Sequence, residues 1–489
     1  MPRASCLVAS LVVVSAVSAA APKARADDLG QRRAALYVEY AQKLGELAEW
    51  CDRERLPDAA EMLRSWLPER GDDHLTLFVL PSADDAATGL GDAEWQRRWQ
   101  VLRNQQADAL YSLALTAVKA GQAGLAYELA TETLRENPDH KQARRALGYV
   151  RFRDQWRTPF EIRQLSAGKV WHDRFGWLPK AHVERYEKRD RYYQGRWMAA
   201  ADEQAQRGDV KRGWRVESSH YVVTTNHSLE EGVRLSRQLE TLYTIWQQVF
   251  AAFHTDDAEL RRRFEGRGTR NDPKPHNVVY YRSRDEYNRT LGAGQPKIEM
   301  TLGIYLDKAR TAYFYAGDEQ DPGTVYHEAT HQLFHETRPA SSEAGQRDNV
   351  WIMEGIACYM ESLAEAGNHY TLGGANAGRM PAARHRLNED HFYVPLAELV
   401  TMGVEAVQHD PRIAMLYSQS SGLADFFMHD AAGRYREPLV RYLVAIYGGK
   451  ATAGTLSELT GTSYSALDRQ YRSFMSPTGD EPAGSAASR

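Results

Sequence analysis

The sequence feature that most constrains the fold is the pentad HEATH at positions 327–331, inside an apolar-patterned run from 324 to 334. His327 and His331 are four positions apart, so in an α-helix they share one face and direct both imidazoles at one point. Such a pair is a common way for a helix to bind zinc. Glu328 would reach the open side of the metal and could take a proton from a water molecule there. The fold must therefore bring a third ligand to this helix.

A third ligand is expected from a second helix further along the chain. Glu354 follows His331 after 22 intervening residues, within the segment WIMEGIACYME at 351–361. Asp348 and Asn349 would cap this helix, and the loop-like stretch before them would make the two helices antiparallel. The Glu354 carboxylate would then face the histidines and complete a three-ligand zinc site with one open position.

Two other polar residues lie within two turns of the expected ligands. Glu361 is seven residues after Glu354, hence on the same helix face, and could accept the second ring N–H of a ligand histidine. The alternative is a surface carboxylate with no role at the site. His335 is eight residues after His327 and too far along the helix axis to reach the same ion, so we expect it to be structural.

These residues resemble the gluzincin zinc metallopeptidases, most closely the aminopeptidase N-like clan and its peptidase MA-like bacterial relatives. The resemblance covers about 35 residues: the HEATH pentad, then Trp351, Glu354, Gly355, Ala357, Tyr359 and Glu361. It implies zinc as the cofactor, with His327, His331 and Glu354 as ligands. Glu328 would be the general base, and Tyr417, 63 residues after Glu354, would hydrogen-bond the developing oxyanion.

The chain departs from the aminopeptidases in two respects. Residues 290–320 hold no counterpart of the Gly-x-Met-Glu-Asn segment that grips a free amino terminus in those enzymes, and the ligand spacing is longer than theirs. The resemblance therefore implies zinc-dependent hydrolysis without aminopeptidase specificity. The strand expected at Thr311–Tyr315 could pair with an extended peptide substrate. The basic segment 373–386 could overhang the cleft, where its arginines would meet a substrate carboxylate or water.

The pattern before the pentad predicts a small mixed sheet that leads into the zinc helix. Segments at 220–224 and 278–281 are rich in β-branched and aromatic residues and predict strands, with a helix over about 228–253 between them. A hairpin is expected from 302–306 and Thr311–Tyr315. The predicted fold is α+β and predominantly helical, with this sheet and a helical lobe of gluzincin type over 215–475.

A helical region precedes this domain. From 27 to 150 apolar residues recur at three- and four-residue spacing with no strand signal, and the small residues over 110–138 resemble a tetratricopeptide repeat (TPR). Fewer than three clear repeats are marginal for a free-standing solenoid. The region is therefore either a module that binds a protein partner or, as the favoured alternative, a module that packs on the rest of the chain.

The connector from 151 to 214 contains tryptophans near a 20-residue spacing, Trp156, Trp177 and Trp197. The repetition predicts a short unit of a turn and a small strand, each with one aromatic anchor. Buried anchors are favoured over an exposed carbohydrate-binding platform, because a tryptophan side chain supplies so much apolar area.

The two ends of the sequence and its net charge indicate where the protein is located and which partners it can have. Residues 1–26 have the basic start, apolar core and small-residue end of a secretory signal peptide, although a retained membrane helix is the alternative. Cleavage would remove three basic residues and no acidic one, which takes the net charge from −4 to −7. We therefore expect a periplasmic or extracellular protein with no stable membrane span and no nucleic-acid partner. The tail 476–489 is predicted to be disordered.

Two cysteines remain after the predicted signal peptide, Cys51 and Cys358. They lie far apart in the sequence, and two free, buried thiols are favoured over one disulfide bond.

The favoured function is an exported zinc peptidase in which Glu328 serves as general base. One alternative is a non-catalytic helical-repeat interaction protein whose gluzincin-like module only binds zinc. Another is a zinc hydrolase that acts on bonds other than peptide bonds, such as cell-wall or glycan-linked bonds.

Overall fold

The computed structural model describes residues 21–80, 93–268 and 274–476. This part of the chain is predominantly helical with small sheets, which confirms the predicted α+β class at that level. Residues 1–20 of the predicted signal peptide 1–26, and residues 477–489 of the predicted tail 476–489, lie outside the described residues. Among the described residues, no helix has the length and apolar character that crossing a membrane requires.

The N-terminal region is helical but contains one strand, contrary to the prediction of a strand-free region. Its elements are α1 (Ala21–Arg53), α2 (Pro57–Arg64), β1 (His74–Leu77), α3 (Glu94–Lys119), α4 (Ala123–Glu136) and α5 (Lys141–Ala146). Strand β1 pairs antiparallel with the distant segment His369–Gly373. Four residues are too few to give a clear alternating pattern, so only the distant partner defines this strand.

The helical region packs on the C-terminal part of the chain, which is the alternative that the sequence favoured. Glu128 on α4 forms an ion pair with Arg436, and within the helical region it forms another with Arg33 at 2.9 Å. The Gly124 backbone N–H donates to Glu437 Oε1 at 3.0 Å. The contacts with Arg436 and Glu437 join the helical region to the C-terminal part. The TPR resemblance itself stays a prediction.

The connector consists of three β-hairpins, each followed by a helix. The units are β2 (Val150–Phe152), β3 (Gln155–Arg157) and α6 (Pro159–Ser166); β4 (Lys169–His172), β5 (Gly176–Pro179) and α7 (Val183–Glu187); and β6 (Asp190–Tyr193), β7 (Arg196–Ala199) and α8 (Ala200–Gln206). Trp156, Trp177 and Trp197 each lie on the second strand of a hairpin. The predicted repeat of turn, strand and anchor is confirmed, and the structure adds a helix to each unit.

The connector tryptophans are packing anchors. Trp156 is buried, and the ring of Trp177 lies 6.2 Å from that of Phe160. The Arg185 guanidinium stacks 3.8 Å from the centre of the Trp197 ring. Trp177 and Trp197 are half-buried, and each contacts a residue of the preceding unit. The prediction of a buried anchor is therefore confirmed for Trp156, and the other two rings are packing contacts between units.

A five-stranded mixed sheet leads into the pentad helix. Its segment of the chain comprises β8 (Trp214–Glu217), β9 (Tyr221–Thr225), α9 (Leu229–Val249), α10 (Ala251–His254), α11 (Asp257–Phe264), β10 (His276–Tyr281), α12 (Arg284–Leu291), β11 (Ile304–Leu306) and β12 (Thr311–Tyr315). The strand order is β11-β12-β10-β9-β8, with β9, β10 and β12 parallel. The predicted hairpin of β11 and β12 is confirmed.

The position of β12 corrects the predicted substrate edge. Thr311–Tyr315 pairs with β11 on one side and with β10 on the other, so its backbone has no free edge for a peptide. The outer strand at this end is Ile304–Leu306. A hairpin pattern shows that two strands pair but not which of them faces outward, because that depends on the third strand.

The helical lobe completes the chain and shares one apolar core with the sheet. It comprises α13 (Pro322–Glu336), α14 (Val350–Met360), β13 (Ala364–Ala366), β14 (His369–Gly373), α15 (Met380–Asn388), α16 (Leu396–Leu399), α17 (Val404–Gln408), α18 (Ile413–Gly433), α19 (Arg436–Tyr447), α20 (Thr455–Thr460) and α21 (Tyr464–Met475). Strands β1, β14 and β13 form a separate antiparallel sheet in that order.

Candidate metal centre

Helix α13 carries the pentad, as predicted. The Asp321 side chain caps its first turn by accepting from the Thr324 N–H at 3.0 Å, and Pro322, the first helical residue, has no N–H that would need an acceptor. The Nε2 atoms of His327 and His331 lie 3.2 Å apart. The four-residue spacing therefore brings both imidazoles to one point.

Helix α14 presents the third donor. Glu354 Oε2 lies 3.5 Å from the Nε2 atom of each histidine. The side chains of the three residues are 12% to 19% exposed, so they are held by packing yet open to a ligand. The residues predicted as a ligand set from their spacing are thus brought together.

The start of α14 differs from the predicted cap. Asn349 occupies the N-cap position with a φ of 59°, and its side chain does not bond the helix N–H groups. Its Oδ1 accepts from the Tyr442 hydroxyl, while its backbone N–H donates to Val400 O at 3.1 Å. The prediction of a capping Asn349 is therefore wrong, because distant segments of the lobe bind both groups.

The donor set fits a tetrahedrally bound zinc ion. Zinc with ligands at about 2.0–2.1 Å separates neighbouring donor atoms by about 3.3 Å in a tetrahedron. The three separations of 3.2, 3.5 and 3.5 Å among His327, His331 and Glu354 agree with that spacing. Two imidazole nitrogens and one carboxylate oxygen leave the fourth position open.

A second layer of contacts holds His327. Glu361 Oε1 lies 2.7 Å from His327 Nδ1, as the helix periodicity predicts, so the surface-carboxylate alternative is wrong. Arg379 donates to both oxygens of Glu361, from Nη2 at 2.7 Å and from Nε at 2.8 Å. This arginine lies in the basic segment that was expected to overhang the cleft, and it pairs with Glu361 instead.

Cys358 lies beside the same histidine. Its Sγ is 4.0 Å from His327 Nδ1, and both Cys358 and Cys51 are free and buried, as the sequence favoured. His327, Cys358 and Glu361 form a second group of donors close enough to hold an ion. They fit a metal poorly, because the Arg379 guanidinium already neutralises Glu361. We therefore assign them to the support of the ligand layer.

Neighbouring groups lower the pKa of Glu354 and raise that of His327. Burial by itself raises the pKa of Glu354, but His331 and His327 outweigh it and hold the pKa well below its ordinary value. Burial lowers the pKa of His327, but its hydrogen bonds to Cys358, Glu354 and Glu361 outweigh burial and raise it well above the ordinary value. The carboxylate stays ionised, and positive charge is favoured where the donors converge.

Glu328 lies against the edge strand. Its Oε2 accepts from the Tyr305 backbone N–H at 2.8 Å, and Tyr305 belongs to β11. The Tyr305 hydroxyl donates to Glu336 Oε1 at 3.2 Å. Glu336 is the last residue of α13 and lies one helical turn after Gln332. Tyr305 therefore joins the outer strand to the middle and to the last residue of α13, and it holds the Glu328 carboxylate next to the strand edge.

Tyr417 reaches the centre from helix α18. A Cβ added to Gly355 would lie 2.5 Å from Ser420 O, so the backbones of α14 and α18 touch at this glycine. That contact brings Tyr417 to Glu354. Burial, then the charge of Glu354 and a hydrogen bond to it, raise the pKa of the Tyr417 phenol, which therefore stays protonated as a donor.

His335 stays outside the ligand set, as predicted. Its ring lies 5.2 Å from that of Tyr447 and 5.8 Å from that of Tyr305. Burial lowers its pKa, which keeps the imidazole neutral. Its role is packing at the end of α13.

The sequence missed Cys358, Arg379 and Tyr305. Cys358 had a signal, since it is four residues after Glu354 and hence on the same helix face. Arg379 lies in the basic segment expected near the cleft, but its pairing with Glu361 had no signal in the sequence, and Tyr305 had none at all, because each contact joins different elements of the fold.

A cavity of about 750 Å³ lies apart from the centre, where the helical region, the connector and the sheet meet, and Tyr149, Phe160 and His220 are among its lining residues. Its described lining includes no residue of the metal centre. The centre is recognised by its converging donor atoms.

Comparison of the chain with protein-family models, with curated proteins and with solved structures gave no match.

Proposed function

We propose that this chain is an exported zinc peptidase of gluzincin type that hydrolyses peptide bonds. The observation that carries the proposal is the convergence of three donor atoms at 3.2 to 3.5 Å, with the Tyr417 phenol hydrogen-bonded to the carboxylate among them. Export rests on the signal-like segment at the start of the sequence.

His327, His331 and Glu354 would hold the zinc ion. When bound, zinc supplies Lewis-acid chemistry, acidifying water at the open position and polarising a carbonyl group. Glu361 would hold the Nδ1 proton of His327, which leaves the Nε2 lone pair for the metal.

Glu328 and Tyr417 would carry the proton transfers and the charge. Glu328 accepts a proton from the attacking water while the water oxygen bonds to the carbonyl carbon. It then donates that proton to the amine nitrogen as the C–N bond breaks, so that one water is added across the peptide bond. The Tyr417 hydroxyl donates a hydrogen bond to the carbonyl oxygen as negative charge develops there.

An extended substrate would lie along β11. Ile304–Leu306 is the outer strand of the sheet and sits beside Glu328 through the Tyr305 N–H. Because Glu328 already accepts from the Tyr305 N–H, strand addition would use the other backbone groups of this edge, which does not demand a particular residue. This placement favours a peptide substrate over a compact small molecule.

The test is the variant Glu328→Gln, compared with wild type on a mixed peptide library read by mass spectrometry. We expect zinc to bind with unchanged stoichiometry and turnover to fall by about 10²- to 10⁴-fold, because the amide cannot accept the proton. Glu343→Gln, an exposed carboxylate paired with Arg347, is the matched control and should cleave like wild type.

Two results would contradict the proposal. Full cleavage by Glu328→Gln would show that this carboxylate is not the base. Stoichiometric zinc in the wild type with no cleavage anywhere in the library would favour a binding module instead of a peptidase.

A further inference from the structure

We propose that Arg379 is a positioning residue of the metal centre, acting on His327 through Glu361. The inference rests on the zinc site proposed above and adds to it a residue that bonds Glu361 and not the metal donors, with its guanidinium 5.9 Å from the centre of the Tyr417 ring. Two observations support the inference. Short contacts run without a break from Arg379 to His327, and the loop that carries Arg379 is packed against the end of α14.

The contacts run in one line from the guanidinium to the ligand. Arg379 Nε and Nη2 bond the two oxygens of Glu361 at 2.8 and 2.7 Å, and Glu361 Oε1 meets His327 Nδ1 at 2.7 Å. A guanidinium that bonds both oxygens of a carboxylate fixes its plane as well as its position. Glu361 therefore has one orientation in which to receive the His327 N–H.

The orientation of Glu361 decides which nitrogen of His327 is free. A carboxylate that holds the Nδ1 proton leaves the Nε2 lone pair directed at the point shared with His331 and Glu354. Without the guanidinium, Glu361 could turn towards solvent, and the imidazole would lose both its tautomer and its ring orientation. Outer partners of ligand histidines typically change metal affinity by about 10- to 100-fold.

The fold presents Arg379 on a constrained loop. Gly378, just before it, has a φ of +52°, and an added Cβ would lie 3.2 Å from the Cβ of Ser362. The Ser362 hydroxyl accepts from the Gly373 N–H at 2.8 Å. The loop is therefore packed on the end of α14, directly beside Glu361.

The N-terminal region supports the same loop. Strand β1 pairs with β14 up to the pair His74 and Gly373, and Asp73 Oδ2 accepts from the Ala375 N–H at 3.1 Å. The helical region thus reaches within four residues of Arg379. This arrangement fits a fixed support for the ligand layer better than a chance surface ion pair.

The experiment measures zinc affinity by chelator competition for Arg379→Met, with Arg386→Met as the matched control. Arg386 lies two turns further along α15 and pairs with Asp390, away from the centre. We expect Arg379→Met to bind zinc about 10- to 100-fold more weakly and the control to bind like wild type. The visible spectrum of the cobalt-substituted protein should change in the first variant only.

A double-mutant cycle with Glu361→Gln tests the route of the effect. If Arg379 acts through Glu361, Arg379→Met should add little in the Glu361→Gln background. Should Arg379→Met fail to fold, Arg379→Lys carries the test, since it keeps the charge without the fork and should still weaken zinc binding several-fold.

The outcomes separate this inference from the proposed function. Wild-type zinc affinity in folded Arg379→Met, or fully additive losses in the cycle, would overturn the inference alone. Absence of a stoichiometric zinc ion in the wild type, or retention of that ion by His327→Ala, would overturn the proposed function and the inference together.

Discussion

At the residue scale, the residues that would bind the metal differ from the residues that hold those ligands in position. His327, His331 and Glu354 converge on one point, while Glu361 bonds the far nitrogen of His327. Loss of a donor should abolish metal binding, whereas loss of a support should weaken it.

Tyr417 is expected to act on the rate and not on metal binding. Tyr417→Phe removes the hydroxyl and its hydrogen bond to Glu354 but keeps the ring and all three metal donors, so zinc should bind with unchanged stoichiometry while kcat falls by about 10²-fold or more, as for other single oxyanion donors. Steady-state kinetics on one cleaved peptide would measure this. Tyr192→Phe, on an exposed hairpin, is the control. An unchanged kcat in Tyr417→Phe would remove the residue from the mechanism.

At the element scale, the distance between α14 and α18 is set by one glycine. Gly355 follows Glu354 directly, and its missing side chain allows Ser420 O to approach α14. The same approach places Tyr417 near Glu354. A single backbone contact therefore joins the ligand helix to the helix that carries the proposed oxyanion donor.

Gly355→Ala should push these helices apart. The added methyl would lie 2.5 Å from Ser420 O, so we expect a loss of about 1–3 kcal/mol in the free energy of unfolding, together with reduced kcat. Urea denaturation measures the first effect. In Gly45→Ala, on α1, the added methyl meets nothing within 4 Å, so its stability should be equal or higher. Equal stability of Gly355→Ala and wild type would contradict this account of the contact.

At the scale of the whole molecule, buried ion pairs hold the helices of the N-terminal region to one another. Burial raises the pKa of Glu132, but Arg33, Arg70 and the Tyr37 hydroxyl outweigh it and lower the pKa to about 2. A carboxylate whose folded pKa lies below its unfolded value stabilises the fold above the unfolded pKa of 4.5. That stabilisation is lost as the pH falls towards 2.

Glu132→Gln should reveal this dependence. The free energy of unfolding of wild type should exceed that of the variant most above pH 5, and the difference should shrink by about 3 kcal/mol on approach to pH 2. Urea denaturation across this range measures it. Glu39→Gln, at an exposed ion pair with Lys43, should show a small and nearly constant difference. A constant difference for Glu132→Gln would mean that its ion pairs do not set the acid stability.

The sequence by itself determined the parts of the centre that share a helix. Helical periodicity is local, so the spacing of His327 from His331 and of Glu354 from Glu361 sufficed to place each pair on one face. The same holds for the repeated tryptophan units, because each hairpin is closed by its own turn. The proposed zinc, the peptide substrate and the export stay predictions.

Tertiary structure decided what depends on contacts between distant segments. It placed β12 inside the sheet and β11 at its edge, paired β1 with β14, and brought Arg379 to Glu361. The spacing of residues along the sequence does not predict these features, because the order of strands and the position of a loop depend on how separate elements pack. The pentad predicted where a metal could bind, and the packing around it decided which residues hold its ligands in place.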